Sequence, residues 1–440
     1  MAQSRVIVVS ADALVYEDLE YLRTRPNFKF MLENGSLVKR CRTIYPTVTY
    51  PCHTSMATGV YPNKHRLVNN NELHIGMKKN VPWTWFHDAV KSPDIFTAAK
   101  KAGLKTASIF WPCTGNHPDI DYLVDEYWPQ FEGDDVRDVY LRSGTTPDVY
   151  DKCVAPYMEG LKIRSHPATD QFLIDCACDM IRNYQPHLLM IHTGNVDAYR
   201  HKTGLFTDMV TQGLEEHEAW LGQLIEATKE AGVYEETNFF VISDHGQLEI
   251  KRAIKPNVVF ADHGLIEFDE NGDLTDWKAF CYSAGMSAQV YLKDPSDKAI
   301  YDKTYNLLKH MRDEGIYGIS EVWTTEEINE LEHLSGDFSF VIETDGYTSF
   351  ANEWTRPMIK QFDLSDYRFG HATHGYLPAP RPIPAAPPLR QKASLLSCCR
   401  KCSKALNGTK LRTSIPSLCF AMASSSRKLQ QRAILLPPGA

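Results

Sequence analysis

The sequence predicts an α/β protein built on a doubly wound parallel sheet, with a small α+β insert. Short apolar runs lie at residues 6–11, 187–192 and 238–243; the first is followed by a polar residue and the other two end in one. Buried parallel strands have this composition. Segments of helical periodicity separate the runs, and such alternation is typical of the α/β class. At 440 residues the chain can bury a large core.

The predicted elements of the main domain alternate along the chain. Glycine or an Asn-Gly pair marks most of the helix ends, and a proline marks the start of the second helix. The predicted helices lie at 17–33, 49–59, 92–103, 170–184 and 213–232. The predicted strands lie at 6–11, 105–111, 187–192 and 238–243.

The alternation changes between residues 247 and 358. The predicted strands there lie at 287–292, 319–323 and 338–342, with helices at 296–313 and 325–334. We interpret this stretch as an α+β insert or cap. The predicted domains are a catalytic core at 1–246, the insert at 247–358, a return to the core at 359–376 and a tail at 377–440.

The tail differs in composition from the rest of the chain. It holds 11 Lys and Arg residues and no Asp or Glu. Its start is rich in proline and its remainder shows little periodicity, so we predict a disordered tail. The change is abrupt enough for an aberrant tail, produced by a frameshift or splice near Leu377, to be a second hypothesis.

The charge of the remaining chain limits its partners. Removing the tail's 11 basic residues from the total of 47 leaves 36, against 55 acidic residues. A body this acidic is a poor binder of nucleic acid polymers, whereas it is compatible with divalent cations. No run of 18 apolar residues occurs, so no membrane span is predicted. Residues 1–10 do not resemble a signal peptide, so a cytoplasmic protein is expected.

The stretch 43–59 offers a nucleophile at a helix start. Pro51 suits the first turn of a helix, which places Thr49 at the N-terminus. Free backbone N–H groups at such an end attract a phosphate. The simpler reading is a threonine that caps the helix.

Acidic residues and histidines follow three predicted strands. Asp12 follows the first strand, Asp197 and His201 follow the third, and Asp244 and His245 follow the fourth. The carboxyl ends of parallel strands are where such sheets bind ligands. A mixed carboxylate and imidazole set suits zinc or manganese, so the sequence predicts two divalent metal ions, with zinc preferred.

These motifs resemble the nucleotide pyrophosphatase/phosphodiesterase branch of the alkaline phosphatase superfamily. The resemblance covers residues 1–376 and implies an alkaline-phosphatase-like doubly wound α/β/α sandwich. Two positions depart from the family pattern, Cys52 and Arg66, where the family often has asparagine and glycine. The matching segments are 10–12, 46–53, 58–65 leading to Asn70, 197–204, 241–246 and 373–376.

The resemblance implies a role for each site residue. Thr49 would attack phosphorus in line and form a phosphothreonine intermediate. Asn70 and the backbone N–H of Tyr50 would hold a non-bridging oxygen. One zinc ion would be bound by Asp12, Thr49, Asp244 and His245. The other would be bound by Asp197, His201 and His374, and would activate the water that releases the product.

The function expected from this pattern is hydrolysis of a small phosphodiester or nucleotide pyrophosphate. A phosphomonoesterase or phosphonoacetate hydrolase of the same superfamily is the close alternative. A metal-binding protein without turnover is the alternative of another class.

Four other features have competing interpretations. Cys52 could be a rival nucleophile, because a helix N-terminus lowers a thiol pKa. The triplet Asp262-His263-Gly264 is more consistent with a loop than with a metal site. His192 is expected to support the site rather than bind metal. The aromatic run 83–86 is expected in the core, although it could stack a base.

Overall fold

The structure is a computed structural model of the 440-residue chain. It describes residues 4–38, 41–78, 81–162, 164–361, 370–378 and 395–398.

The described residues contain the following regular elements. The strands are β1 Arg5–Ala11, β2 Ser36–Val38, β3 Thr106–Ile109, β4 Tyr122–Val124, β5 Leu188–Thr193, β6 Thr237–Ile242, β7 Leu248–Glu249, β8 Arg252–Ile254, β9 Ile266–Phe268, β10 Leu274–Trp277, β11 Ala279–Ser283, β12 Ser287–Leu292, β13 Ile319–Thr324, β14 Phe340–Thr344, β15 Thr348–Phe350, β16 Ile359–Gln361, β17 Ala372–Thr373 and β18 Leu395–Cys398. The helices are α1 Asp18–Leu22, α2 Pro26–Asn34, α3 Thr49–Thr58, α4 Pro62–His65, α5 Ile95–Lys101, α6 Val136–Arg142, α7 Pro147–Val149, α8 Ala168–Tyr184, α9 Asn195–Thr203, α10 Asp208–Glu230, α11 Pro256–Asp262, α12 Lys298–Glu314 and α13 Thr325–Glu332.

The main sheet has seven strands in the order β2-β18-β6-β1-β5-β3-β4. Strands β6, β1, β5, β3 and β4 run parallel to one another, and β18 runs antiparallel to both of its neighbours. Because β1 lies between β5 and β6, the residues that follow these three strands meet at one edge of the sheet. This confirms the predicted doubly wound α/β class and explains how distant residues can share a site.

Both faces of the main sheet are covered. Alternate residues of β1 point to opposite faces, as strand geometry requires. Ile7 and Val9 lie in a core formed with α2, α8 and α10. Val6 and Val8 lie in a second core formed with α3 and α5. The helix predicted at 17–33 is wrong as a single helix, because Arg25 is extended and Pro26 starts α2.

The insert has its own antiparallel sheet, ordered β11-β12-β14-β13. Helices α11, α12 and α13 pack against this sheet, and a separate hydrophobic core lies between them. This agrees with the α+β character predicted for the segment. The chosen domain boundaries at 246, 358 and 376 remain predictions.

Strand β17 returns the chain from the insert to the main domain. It pairs with β7, and the backbone N–H of His371 donates to the carbonyl of His201 (2.8 Å). Gly375 has φ +98°, and a Cβ there would lie 1.8 Å from the carbonyl oxygen of Ala284. Only glycine fits this position, and its N–H donates to the Thr47 carbonyl (3.0 Å). These contacts fix the adjacent His374.

The predicted tail, 377–440, lies mostly outside the described residues. Within it, residues 395–398 form β18 between β2 and β6, which differs from the expected lack of structure at these four positions. Without a neighbour, β6 would be an open edge with unpaired backbone groups, and an antiparallel strand satisfies them.

Candidate active site

The Thr49 hydroxyl lies at the start of α3 but does not cap it. Val48 occupies the cap position with extended backbone, and no side chain caps the helix. Thr49 is 6% exposed, and its Oγ1 lies 3.4 Å from Nε2 of His245. The interpretation of Thr49 as a capping residue is therefore wrong. A capping residue precedes the first residue of its helix, whereas Thr49 is itself the first residue of α3.

Asp12, Asp244 and His245 form the first group of candidate metal ligands. Nε2 of His245 lies 3.2 Å from Oδ2 of Asp244 and 3.5 Å from Oδ1 of Asp12. The other oxygen of each carboxylate is engaged: Oδ1 of Asp244 accepts from the His245 N–H (2.9 Å), and Oδ2 of Asp12 faces His192 Nε2 (3.1 Å). The two inner oxygens are fully buried, and no described residue donates a hydrogen bond to them. These oxygens, one ring nitrogen and the Thr49 hydroxyl fit a divalent cation.

Asp197, His201 and His374 form the second group. Oδ2 of Asp197 lies 3.2 Å from Nε2 of His201, and Oδ1 lies 3.8 Å from Nε2 of His374. The Nδ1 atoms of both histidines donate to backbone carbonyls, of Ala372 (2.7 Å) and of Thr47 (2.9 Å). Both Nε2 atoms are therefore turned towards Asp197, and Nδ1 atoms bonded to the backbone in this way are typical of metal-binding histidines.

The two groups adjoin each other through His245. The rings of His245 and His374 are stacked with centroids 3.9 Å apart, and His245 can share a metal with Asp197 and His374 as well as with the first group. The structure thus brings together all seven residues predicted as metal ligands. Which residue binds which ion remains a prediction.

The charges of the first group are not balanced by the protein. Burial, with the charge of Asp197 adding to it, raises the pKa of Asp12 well above its usual range. Burial and the neighbouring Asp12 do the same to the pKa of Asp244. Burial lowers the pKa of His245, so its imidazole is neutral. A cation at this position would compensate the two carboxylates.

The second group is closer to charge balance. Burial opposes ionisation of Asp197, yet His201 and then His374 hold its pKa well below the usual range. Burial would lower the pKa of His201, but Asp197 raises it. Burial lowers the pKa of His374 to about 4.

Asn70 is held against the start of α3. The Tyr50 N–H donates to its Oδ1 (2.8 Å). This differs from the prediction that the Tyr50 N–H faces the phosphate. In this arrangement the N–H instead orients the Asn70 amide, which lines the active-site cavity.

The cavity beside these groups has a volume of about 400 Å³. One wall consists of residues that the sequence analysis did not select, because they lie in loops or at the start of α8 and belong to no recognisable motif. Tyr50 donates from its hydroxyl to Glu126 (3.0 Å), a carboxylate whose pKa is raised by burial. The wall residues are Glu126, Trp128, Arg164, His166 and Asp170.

The aromatic run 83–86 divides between two roles. Trp85 is 6% exposed and packs in a core with Tyr127. Trp83 lines the cavity, with its ring 5.2 Å from that of Tyr50. The expectation of a core position therefore applies to Trp85 but not to Trp83.

The rival nucleophile has the wrong environment. Cys52 is 0% exposed, and burial raises its thiol pKa well above the usual range. Its Sγ lies 3.3 Å from Oγ1 of Thr43. The triplet Asp262-His263-Gly264 closes α11, and Asp262 pairs with Arg356 (2.5 Å). Neither feature contributes to the site.

His192 lies behind the first group, as expected. Its Nε2 faces Asp12 (3.1 Å), and its ring packs against that of His53 with centroids 4.4 Å apart. His53 in turn donates from Nδ1 to the Thr49 carbonyl (2.8 Å). These contacts fix the positions of Asp12 and Thr49.

A third Asp and His group lies elsewhere, formed by His87, Asp94 and His117. Here both carboxylate oxygens of Asp94 are satisfied, one by the Thr97 N–H (2.9 Å) and the other by Nε2 of His117 (2.8 Å). Nδ1 of His117 accepts the Asp119 N–H (3.0 Å). This group is a helix cap supported by a histidine.

The central parallel sheet with helices on both faces gives the protein an alkaline-phosphatase-like fold. The family model for type I phosphodiesterase / nucleotide pyrophosphatase matches residues 6–377. The chain therefore belongs to this family, whose members hydrolyse phosphodiester and pyrophosphate bonds.

The curated relatives are distant and much longer. Human ectonucleotide pyrophosphatase/phosphodiesterase family member 1 is 24% identical over 239 residues, which are 52% of this chain and 22% of the relative. Member 3 from Rattus norvegicus is 27% identical over 255 residues, 56% of this chain and 25% of the relative. A venom phosphodiesterase from Crotalus durissus collilineatus is 25% identical over 261 residues, 56% of this chain and 27% of the relative. The chain thus spans about a quarter of their length.

Solved structures support the fold. Murine ectonucleotide pyrophosphatase/phosphodiesterase 5, in an inactive threonine-to-alanine form complexed with AMP, superposes with a TM-score of 0.62 at 18% identity. The match covers 96% of this chain and 95% of that one. The human protein of the same name gives a TM-score of 0.56 at 17% identity, covering 89% and 87%. Within the described residues, no helix is long and apolar enough to cross a membrane.

Proposed function

We propose that the protein is a two-metal hydrolase of phosphodiester or nucleotide pyrophosphate bonds that acts through a phosphothreonine intermediate. The observation that carries the proposal is the pair of buried, donorless oxygens on Asp12 and Asp244, which meet Nε2 of His245 beside the Thr49 hydroxyl. Buried carboxylates are normally satisfied. A cation bound beside the Thr49 hydroxyl would supply the partner that both carboxylate oxygens lack.

Two divalent cations, zinc by preference or manganese, would neutralise charge on the substrate phosphate and lower the pKa of a coordinated hydroxyl. Asp12, Thr49, Asp244 and His245 would hold one, and Asp197, His201 and His374 the other.

Thr49, a water molecule and Asn70 would take part in the hydrolysis itself. The Thr49 oxygen forms a bond to phosphorus as the bond to the leaving group breaks, and the leaving oxygen keeps the electron pair. Water then cleaves the phosphothreonine, which restores the hydroxyl and releases a phosphomonoester. The Asn70 amide would donate to a non-bridging oxygen, because charge develops there in the transition state. The AMP held by the inactive murine relative supports a nucleotide product.

The test compares two chromogenic substrates after metal removal and reloading with Zn²⁺ or Mn²⁺. We expect turnover of the p-nitrophenyl ester of thymidine 5′-monophosphate to exceed that of p-nitrophenyl phosphate. Thr49→Ala should lower kcat by about a thousandfold or more with both metals retained. The matched control is Thr58→Ala, at the other end of α3, whose hydroxyl donates only to the Thr54 carbonyl (2.7 Å).

Other results of these assays would favour one of the alternative functions. Preference for the monoester would indicate a phosphomonoesterase, and cleavage of phosphonoacetate alone would indicate a phosphonate hydrolase. Two bound metals without any turnover would indicate a metal-binding protein that is not an enzyme. Undiminished activity of Thr49→Ala would reject Thr49 as the nucleophile. The expected cytoplasmic location is a separate prediction, which cell fractionation can check.

A further inference from the structure

An arginine occupies an aromatic cage in the wall of the catalytic cavity. The guanidinium carbon of Arg164 lies 4.8 Å from the ring centroid of Trp128 and 5.5 Å from that of Trp83. All three residues line the cavity together with Thr49 and Asn70. The two tryptophan rings meet edge to face, with centroids 5.9 Å apart and an interplanar angle of 73°, and a tryptophan ring attracts a cation through its negative face.

Within the described part of the chain, the Arg164 guanidinium has no ion-pair partner. Among the described residues, no carboxylate oxygen lies within 4.0 Å of its guanidinium. Glu126 is close enough for the Arg164 charge to lower its pKa, although burial outweighs this effect, and the Glu126 carboxylate is hydrogen-bonded to the Tyr50 hydroxyl (3.0 Å). Arg164 itself is exposed at the cavity. A guanidinium packed against rings retains N–H donors for a carboxylate or a phosphate.

Two consequences follow for a substrate in this cavity. The cage that could take a quaternary ammonium group already holds a cation, so a cationic substituent meets a like charge. A substituent with a carboxylate or phosphate meets a guanidinium that has no ion-pair partner among the residues that the structure describes.

We propose that Arg164 determines substrate specificity, selecting phosphodiesters that carry a second anionic group, a carboxylate or a phosphate, and disfavouring cationic headgroups. The inference rests on the proposed function, since the ligand must place its phosphorus at Thr49. His166 stands beside Arg164 in the same wall, with Nδ1 bound to Asp170 (2.6 Å), and extends the polar surface that the anion would meet.

The test uses four p-nitrophenyl phosphodiesters that differ only in the second substituent: ethyl, carboxymethyl, 2-phosphoethyl and choline. For the metal-loaded protein, we expect kcat/KM for both anionic esters to exceed that of the ethyl ester by about tenfold or more, with the choline ester the poorest. The carboxymethyl and 2-phosphoethyl esters separate the two sources of the anion.

The Arg164 variants make the result specific. Arg164→Gln should lower kcat/KM for the anionic esters about tenfold more than for the ethyl ester. It should also raise the ratio of kcat/KM for the choline ester to that for the ethyl ester, because the two tryptophan rings no longer hold a cation. Arg164→Lys should restore part of the anion preference. The matched control is Arg137→Gln, which removes a guanidinium that lies 5.4 Å from the Tyr150 ring on another part of the surface.

Measuring binding without turnover tests the role of Arg164 independently of the proposed hydrolysis. Dissociation constants of the ethyl and carboxymethyl esters are measured calorimetrically in the Thr49→Ala background, with and without Arg164→Gln. If none of the esters is hydrolysed, the proposed function fails, whereas an Arg164-dependent preference in binding still supports the subsite. Equal affinities for the two esters, or an equal effect of Arg164→Gln on all four, would overturn it.

Discussion

Replacing Asp244 by asparagine should stabilise the metal-free protein while weakening metal binding. Oδ1 of Asp244 accepts from the N–H groups of Ala13 (3.3 Å) and His245 (2.9 Å), and an asparagine oxygen can keep both bonds. The amide nitrogen would replace the donorless Oδ2 and would point towards the donorless Oδ1 of Asp12. One substitution thus replaces a buried ionisable group with a neutral amide and supplies a hydrogen-bond donor to Asp12.

The size of the effect follows from the cost of unsatisfied buried groups. Leaving a buried polar atom without a partner costs about 1–3 kcal/mol, and more for a charged one. We therefore expect the unfolding free energy of Asp244→Asn in EDTA to exceed that of wild type by about 1–3 kcal/mol, measured by urea titration. Zinc content by equilibrium dialysis should fall from two ions per chain to one or none.

The stability of the metal-free protein should depend on pH through Asp244. Burial and the charge of Asp12 raise the pKa of Asp244 in the folded protein well above its usual range. Between the unfolded and folded pKa values the folded state binds more protons, so the stability of the metal-free protein falls as pH rises above about 4. Asp244→Asn removes this contribution, and the stability gap between the variant and wild type should widen from pH 5 to pH 8.

The matched control is Asp94→Asn, which changes a buried carboxylate that is fully hydrogen-bonded. Its oxygens accept from Thr97 and His117. Despite burial, the His117 hydrogen bond holds its pKa below the usual value, so its contribution is present above the unfolded pKa and lost as pH falls. Asp94→Asn should destabilise the protein with or without metal. If Asp244→Asn in EDTA destabilises as much as this control, the charge at Asp244 is already compensated and the reasoning fails.

Three further outcomes test other parts of the structure. His374→Ala should remove one of two bound zinc ions and abolish turnover, and metal analysis showing two ions would contradict its assignment as a ligand. Gly375→Ala should lower the unfolding free energy and the occupancy of the second metal, because its Cβ would overlap the Ala284 carbonyl; wild-type values of both would contradict the close approach. Iodoacetamide under native conditions should leave the activity intact, because the Cys52 thiol is buried and its pKa is raised, whereas inactivation with mass-spectrometric labelling of Cys52 would contradict this.

The first ligand group could be predicted because local sequence determines it. A polar residue directly after a buried parallel strand lies at the carboxyl edge of the sheet. Asp12 follows β1 within one residue, and Asp244 and His245 follow β6 within three. The order β6-β1-β5 then makes these residues neighbours. Strand composition indicated their positions, and the family resemblance implied that they bind one ion.

Local sequence predicts only part of the second ligand group. Asp197 and His201 lie four residues apart on α9 and so share a helix face. His374 comes from the pairing of β17 with β7 and from the close approach of Gly375 to residue 284. These are long-range contacts without a local signal, so only the family resemblance pointed to His374.

The cavity wall could not be predicted from the sequence. Arg164 lies in a loop without a motif, and its two ring contacts come from Trp83 and Trp128, at least 36 residues away along the chain. The division of 17–33 into α1 and α2 had a visible signal in Pro26, which the glycine-based helix stop outweighed. The pairing of the Tyr50 N–H with Asn70 depends on a loop that turns back onto α3.

Hydrogen bonding separates the candidate active site from a structural cluster of the same composition. Asp94 with His87 and His117 contains the same side-chain types as Asp12, Asp244 and His245, and both groups have the spacing of metal ligands. In the Asp94 group, the carboxylate accepts one donor on each oxygen. In the Asp12 group, one oxygen of each carboxylate has no donor and both pKa values are raised. A fold gains nothing by leaving two acids in this state, because each costs unfolding free energy. The unsatisfied oxygens, more than the presence of acids and histidines, therefore distinguish this group as the candidate cation site.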